Sequence, residues 1–126
     1  MATIKKPSLT ARNIAKLIAG FAFDTMAEDI VILDMRQCVN FCDYFVICTG
    51  SSDRRARAIA DSIDEGLRKL GTKIRHHQGL QESRWVLLDT GDVVTHVFIP
   101  QTREFYGLEH LWQQAPRISW KSKTKK

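Results

Sequence analysis

The sequence predicts one α/β domain with a mixed five-stranded sheet flanked by helices, and three observations support this prediction. Residues 45–48 (FVIC) are an uninterrupted apolar run, which is typical of a strand buried on both faces of a sheet. Residues 50–52 (GSS) follow, where glycine permits a sharp turn and serine can cap a helix. The chain of 126 residues has the length of a single domain. A buried strand that leads through a turn into a helix is the core unit of an α/β fold.

The first half of the chain alternates between helical and strand periodicity. Ser8 or Thr10 can cap a first helix that ends near Met26. The apolar stripe of this helix consists of Ile14, Leu17, Ile18, Phe21 and Phe23. Residues 29–35 form a strand, and its short connection to the central strand at residues 43–49 predicts that the two are antiparallel neighbours.

A second helix follows from residue 52 to residue 70. Its apolar residues recur at intervals of three and four, which is the spacing of one helix face. They are Ala56, Ile59, Ala60, Ile63, Leu67 and Leu70. Gly71 supplies a C-terminal stop.

Three strands and a short helix complete the predicted fold. Residues 73–76 form a short polar strand near a sheet edge. Residues 84–89 and 93–99 form a hairpin, and with residues 90–91 as its turn Trp85 would face His96. Residues 102–113 form the last helix. Its predicted inward side consists of Phe105, Leu108, Leu111 and Trp112.

Charge is distributed unevenly along the chain. Residues 24–116 contain ten basic and all fourteen acidic side chains, a net charge of −4, whereas both ends are basic. We predict that residues 1–116 form the domain and that residues 117–126 are a basic, flexible tail. An acidic body suits a basic protein partner, and a cationic tail suits phosphate. Two alternatives remain, in which the tail merely aids solubility or makes the chain a general RNA-binding module.

Cysteine content indicates the compartment. Cys38, Cys42 and Cys48 are an odd number of thiols, and reduced thiols in a cytoplasmic protein are the simplest interpretation. Cys38 and Cys42 could join residues 76–77 (HH) in a zinc site, but one Cys-x-x-x-Cys pair is a weak signal and we expect no metal. No apolar run approaches the ~20 residues that a membrane-spanning helix needs.

The turn from Gly50 to Ser52 also suggests a phosphate site, since the free N–H groups at a helix start attract anions. The nucleotidyltransferase fold uses such a turn, but its chemistry requires paired carboxylates on one strand face to hold a divalent metal. No Asp-x-Asp or Glu-x-Asp follows Ser52 on a predicted strand. An enzyme that binds or transfers nucleotides through this turn is therefore the alternative function.

Trp85 and Tyr106 are the aromatic residues best suited to recognition, with buried packing as the alternative for each. His96 and Arg103 lie on adjoining predicted elements, so all four could share one edge of sheet and helix. Aromatic residues and arginine provide much of the binding energy at protein interfaces. The default interpretation of His96 is a core histidine, and no histidine here has an evident nucleophile partner.

Four ordered blocks carry a family resemblance. They are residues 29–34 (DIVILD), 43–52 (DYFVICTGSS), 85–98 (WVLLDTGDVVTHVF) and 103–112 (REFYGLEHLW). In this order they resemble the ribosomal silencing factor family, also called Iojap-related. The resemblance covers about residues 17–112.

This resemblance implies a translation factor that is not an enzyme and needs no cofactor, with a nucleotidyltransferase-like fold that lacks the catalytic carboxylates. Family members bind a basic ribosomal protein, the fourteenth of the large subunit, at the face that meets the small subunit. The implied consequence is a steric block of subunit joining and lower translation. The resemblance also leaves open a homodimer of the free protein.

Partner-binding residues are expected from the same motif matches. Trp85 is the first candidate, followed by Asp43, Tyr44, Gln78, His96, Arg103, Tyr106 and Glu109. Gln78 is a departure, because many family members have glutamate there and this chain lacks that charge. The tail after residue 116 lies beyond the shared blocks, and we expect it to contact ribosomal RNA.

Overall fold

The structure, a computed structural model, describes residues 9–120. In chain order its elements are α1 (Ala11–Asp24), β1 (Glu28–Asp34), β2 (Tyr44–Thr49), α2 (Asp53–Lys69), β3 (His76–Gln78), β4 (Trp85–Asp89), β5 (Val93–Phe98), α3 (Pro100–Tyr106), α4 (Leu108–Leu111) and β6 (Arg117–Ile118). This architecture confirms the predicted α/β class. None of the helices within residues 9–120 is long and apolar enough to cross a membrane.

One mixed sheet forms the centre of the fold, with strand order β3-β4-β5-β2-β1-β6. β2 and β5 run parallel, and the β1–β2 pair is antiparallel as predicted. Within residues 9–120 the sheet has six strands, where five were predicted. The additional strand pairs Ile118 with Ile32 and Arg117 with Leu33, and a two-residue strand is too short to show periodicity in the sequence. Residues 121–126 of the predicted tail lie outside the described residues.

Polar side chains start the two long helices, as the sequence predicts. The Thr10 hydroxyl accepts a hydrogen bond from the Asn13 N–H at 3.1 Å, and the Ser52 hydroxyl accepts one from the Arg55 N–H at 3.1 Å. Ser8, the other candidate cap, lies outside the described residues.

The two faces of the sheet are covered differently. On the first face, the buried sides of α1 and α2 pack against Val46, Cys48 and other strand residues in the larger core cluster. The second face carries Phe45, Ile47 and Phe98, and it is covered in part by the β1–β2 connection and by Leu108 and Trp112. β4 contributes half-buried Trp85 and Leu87 to this second face. Helices therefore cover the first face over the central strands, whereas the second face is covered only in part.

The hairpin of β4 and β5 forms with a register two residues away from the predicted one. Trp85 pairs with Phe98, and Leu87 pairs with His96. Residues 91–92 form the turn instead of residues 90–91, with Gly91 at φ 104° and its N–H donating to the Asp89 carboxylate at 2.7 Å. A shift of two residues keeps every side chain on its face of the sheet, so Trp85 and His96 still share one face.

Two further predictions were wrong. β3 spans His76–Gln78 rather than residues 73–76, because pairing with β4 begins at Asp89 opposite His76. The predicted last helix is divided at Gly107, which adopts a left-handed conformation (φ 55°) that glycine tolerates. Phe105 (80% exposed) and Leu111, on either side of this break, are exposed, although both were predicted to face inward.

Helix ends explain the remaining differences in burial. The predicted stripe of α2 is buried from Ala56 to Leu67, but Leu70 caps the helix and is exposed. Phe23, near the end of α1, is also exposed, and its ring packs against Trp120 with centroids 5.5 Å apart.

Candidate partner-binding surface

Trp85, Phe105 and Tyr106 form a continuous aromatic surface at the end of the sheet where β4 begins. The ring centroids of Trp85 and Tyr106 are 4.6 Å apart, and those of Phe105 and Tyr106 are 5.0 Å apart. Phe105 and Tyr106 are exposed and Trp85 is half-buried. Exposed aromatic rings that contact one another are typical of the centre of a protein interface.

A buried layer beneath this aromatic surface fixes the Trp85 ring. The Trp85 indole N–H donates to His96 Nδ1 at 3.1 Å, and the ring of Phe98 lies 5.0 Å from that of Trp85. His96 is 4% exposed, and Phe45 contacts it edge-on at 4.7 Å. Since an indole N–H can only donate, Nδ1 of His96 must be unprotonated and the imidazole is neutral with its proton on Nε2. Within residues 9–120, that Nε2 atom has no hydrogen-bond partner.

Burial lowers the pKa of His96 to about 4. The ordinary pKa of histidine is about 6.5, so between these values the unfolded chain binds a proton that the folded protein does not. Stability should therefore fall as the pH decreases through this window. We expect a loss of about 2 kcal/mol between pH 7 and pH 5 in urea denaturation. A His96→Gln variant should lose much less over the same window, and equal losses in both proteins would contradict this assignment.

A cavity of about 550 Å³ adjoins the aromatic surface. Its lining consists of Gly79, Gln81, Glu82, Arg84, Trp85, Thr102 and Tyr106. The loop before β4 forms one side of this cavity. Within that loop, Gly79 (φ 84°) lies so close to β4 that an added Cβ would be 2.1 Å from the Trp85 carbonyl oxygen. Glycine at this position therefore allows the loop to reach Trp85.

Carboxylates gather at the opposite end of the second face. The pKa of the Cys42 thiol is raised to about 11, first by burial and then by the negative charges of Asp43, Asp89 and Asp92. Asp89 follows Trp85 and Leu87 in the alternation of β4, so it belongs to the same face of the sheet. The second face thus joins an aromatic end and an acidic end, which suits a partner with apolar and basic groups.

The structure separates the predicted site residues into two groups. Trp85 and Tyr106 meet in the aromatic surface, and Gln78 is exposed opposite Leu87. Asp43 is half-exposed at the acidic end.

The other predicted residues lie deeper. Tyr44 is 2% exposed, with the Arg36 guanidinium 5.5 Å from its ring centre, and His96 is also buried. Arg103 and Glu109 form an ion pair with each other at 2.9 Å. For these residues the geometry allows support of the surface rather than direct contact with a partner.

Three of the exposed apolar residues that the sequence analysis did not select as site residues are Phe41, Phe105 and Leu111. Phe41 lies on the β1–β2 connection, with its ring centroid 6.4 Å from that of Phe45 on the second face. The helical period assigned Phe105 and Leu111 to the core, so no signal in the sequence marked them as exposed.

The turn at Gly50–Ser52 forms as predicted and adjoins a cavity of about 490 Å³ that includes Ser51, Ser52 and Arg84 in its lining. The Ser52 hydroxyl already serves as the α2 cap.

Within residues 9–120, no group of three or more His, Cys, Asp or Glu side chains is arranged to hold a metal ion. Burial raises the pKa of the Cys48 thiol to about 12, which keeps it protonated.

Comparisons with known proteins agree on one family. Residues 8–126 match the family described as "Ribosomal silencing factor during starvation". The chain is 43% identical over 108 residues to ribosomal silencing factor RsfS of Bacillus subtilis, which covers 86% of this chain and 92% of that protein. It is 35% identical to "Protein Iojap, chloroplastic" of Zea mays, over 84% of this chain and 46% of that protein. A crystal structure of a Chromobacterium violaceum protein is similar with a TM-score of 0.81 at 34% identity, and covers 82% of this chain and 87% of that one.

Proposed function

Because this chain belongs to the ribosomal silencing factor family, we propose that it binds the large ribosomal subunit and keeps the small subunit from joining it. The proposed partner is the basic fourteenth protein of the large subunit, at the face that meets the small subunit. The observation that carries this proposal is the aromatic surface of Trp85, Phe105 and Tyr106, which this chain exposes to solvent in part. The relatives of the chain are named for silencing ribosomes.

Charge supports a basic partner. The body from residue 24 to residue 116 has a net charge of −4, and Asp43, Asp89 and Asp92 lie at one end of the second face. Opposite charges steer encounter and fix the orientation of two proteins, while buried aromatic rings supply most of the affinity. In this arrangement Trp85 and Tyr106 anchor the partner. Gln78 lies opposite Leu87 on the neighbouring strand, without the charge that a glutamate would add.

The proposed mechanism is competition for a surface, with no bond made or broken. While this protein occupies its site, the small subunit cannot reach the same area, so the inhibition of joining follows the fraction of large subunits bound. A nucleotide-binding enzyme would instead require ligands at Gly50–Ser52, and a thermal-shift screen with nucleotides and magnesium distinguishes that alternative.

Reassociation of separated subunits tests the proposal. Purified 50S and 30S particles are mixed in magnesium with increasing amounts of the protein, and the fraction of 70S particles is read from a sucrose gradient. We expect saturating protein to keep most subunits apart and to cosediment with the 50S particle. Reassociation equal to that of untreated subunits at saturation would contradict the proposal.

We further propose that the four lysines of residues 121–126 contact ribosomal RNA. The described part of the chain ends at Trp120, two residues after β6, and β6 is four strands from β4 and therefore roughly 19 Å from the strand of Trp85. We expect an RNA contact by these lysines to add to binding at the aromatic surface.

Deletion of residues 121–126 should reduce the salt dependence of binding to the large subunit. The slope of log affinity against log salt should fall by about 0.7–0.9 for each phosphate that the lysines no longer neutralise. A variant with all four lysines changed to arginine keeps the charge and is the matched control, with an unchanged slope expected. The same slope in the deletion and the full chain would refute the RNA contact.

A further inference from the structure

The Arg103 guanidinium connects α3 to three other elements of the fold. Nη1 donates to the Asp29 carbonyl oxygen of β1 at 2.7 Å and to the Thr49 hydroxyl of β2 at 2.8 Å. Nε donates to the Glu109 carboxylate of α4 at 2.9 Å. The Arg103 side chain is 13% exposed, so little of it can reach a partner.

α3 and α4 have few other means of attachment. Neither helix contains a fully buried residue, and neither has a side-chain hydrogen bond at its N-terminal cap. The two are seven and four residues long and are separated by Gly107. Helices this short are not stable by themselves, so their position depends on tertiary contacts. Half-buried Leu108 and Trp112 supply apolar contacts. Arg103 supplies most of the polar ones, and an ion pair between Glu109 and Arg117 supplies another.

The Asp29 carbonyl oxygen of β1 can accept a hydrogen bond from Arg103 because β1 is irregular at Asp29. The β1–β2 register shifts between Glu28 and Val31, and Asp29 adopts φ 50°, an unfavourable conformation for a residue other than glycine. Such conformations persist where the surroundings hold them, often near functional sites. Here the irregular residue offers its carbonyl oxygen to Arg103.

Glu109 completes this network. The hydrogen bond from Arg103 lowers the pKa of Glu109 and keeps the carboxylate ionised, although burial opposes this effect. Its second oxygen lies 3.5 Å from the Arg117 guanidinium of β6. A planar guanidinium with five N–H donors can serve these acceptors together, whereas a lysine ammonium cannot match the same geometry.

We propose that Arg103 is the positioning residue of the aromatic surface: it holds α3 so that Tyr106, three residues further along the same helix, stays against Trp85. Arg103 acts through Tyr106 and makes no contact with the partner. This inference rests on the proposed function for its consequence in binding, but its structural part concerns the free protein alone.

Hydrogen exchange of the free protein tests the structural part. Arg103→Ala should speed amide exchange across residues 100–112 by about tenfold, since three hydrogen bonds from a charged donor are removed, and leave the backbone amides of β2 and β5 unchanged. The matched control is Arg36→Ala, which removes an arginine whose guanidinium binds the Asp34 carboxylate at 2.7 Å on the protein surface. Arg36→Ala should not change exchange in residues 100–112. Unchanged exchange in Arg103→Ala would overturn the proposal.

A double-mutant cycle on the large subunit tests how Arg103 acts. Arg103→Ala should weaken cosedimentation about tenfold in the native chain and add no further loss in a Tyr106→Ala background. Additive losses would show a direct contact or a general loss of folding and would overturn the proposal. If Arg103→Ala does not fold, Glu109→Gln should give smaller changes in the same direction in both measurements. Failure of the unaltered protein to bind would contradict the proposed function, while the exchange result would still decide the role of Arg103.

Discussion

Replacement of Trp85 with alanine is expected to weaken binding to the large ribosomal subunit by about 30-fold or more. Trp85 packs against Tyr106 at 4.6 Å and Phe98 at 5.0 Å, and His96 fixes its indole N–H. Removal of an anchored aromatic ring from an interface centre costs about 2 kcal/mol or more, and each 1.4 kcal/mol is a tenfold change in affinity. The reassociation assay should show the same shift in the concentration that keeps subunits apart.

Two control variants distinguish a loss of the binding surface from a loss of the fold. Leu70→Ala removes another exposed apolar side chain, from the C-terminal cap of α2 on the other face of the sheet, and should bind like the unaltered protein. Trp85→Phe keeps an aromatic ring but removes the hydrogen bond to His96, and an intermediate affinity is expected. Binding of Trp85→Ala at the affinity of the native chain, with the fold verified by circular dichroism, would exclude the aromatic surface as the anchor.

Replacement of Gly50 with alanine is expected to destabilise the fold by about 3 kcal/mol. A Cβ at this position would lie 2.7 Å from the Ala56 nitrogen and 2.8 Å from the Ala56 Cα. Both are backbone atoms in the first turns of α2, so relief of the contact requires movement of the helix. The Gly50 N–H also donates to the Phe98 carbonyl oxygen at 2.8 Å, which ties this turn to the end of β5.

Gly20→Ala is the matched control for this substitution. Gly20 lies within α1, and nothing would lie within 4 Å of its added Cβ. Alanine there should stabilise the protein by about 0.5–1 kcal/mol, because glycine is the poorer helix former. Urea denaturation of the three proteins measures both changes. A Gly50→Ala protein as stable as the native chain would show that α2 can shift to accommodate a methyl group.

Gly50 illustrates how a correct prediction can have an incomplete reason. The sequence placed a turn and a helix start at residues 50–52, and the structure confirms both, with the Ser52 hydroxyl as the cap. The sequence analysis explained the glycine by its backbone freedom. The structure shows a second requirement, the close approach of the α2 backbone, which depends on how the helix packs over the sheet.

In the β4–β5 hairpin, the alternation of residues predicted the faces of the strands correctly but not their register. Alternation fixed which residues face which side, and it correctly gave Trp85 and His96 the same face. Alternation does not distinguish registers two residues apart. The turn at residues 91–92 is selected by Gly91, whose N–H binds the Asp89 carboxylate, and by the Thr90 hydroxyl, which donates to the Val93 carbonyl oxygen at 3.0 Å.

The sequence by itself determined the α/β class, both long helices, the central strands and the family, because periodicity, capping residues and ordered motifs are local properties of the chain. The tertiary structure alone decided the position of β3, the presence of β6, the break at Gly107 and the exposure of Phe105. These features depend on pairing and packing between residues far apart in the chain, and each segment is too short for its own periodicity to specify. Arg103 shows both sides of this division. It matched a motif that is local in the sequence, but its contacts with Asp29, Thr49 and Glu109 join distant segments and are visible only in the fold.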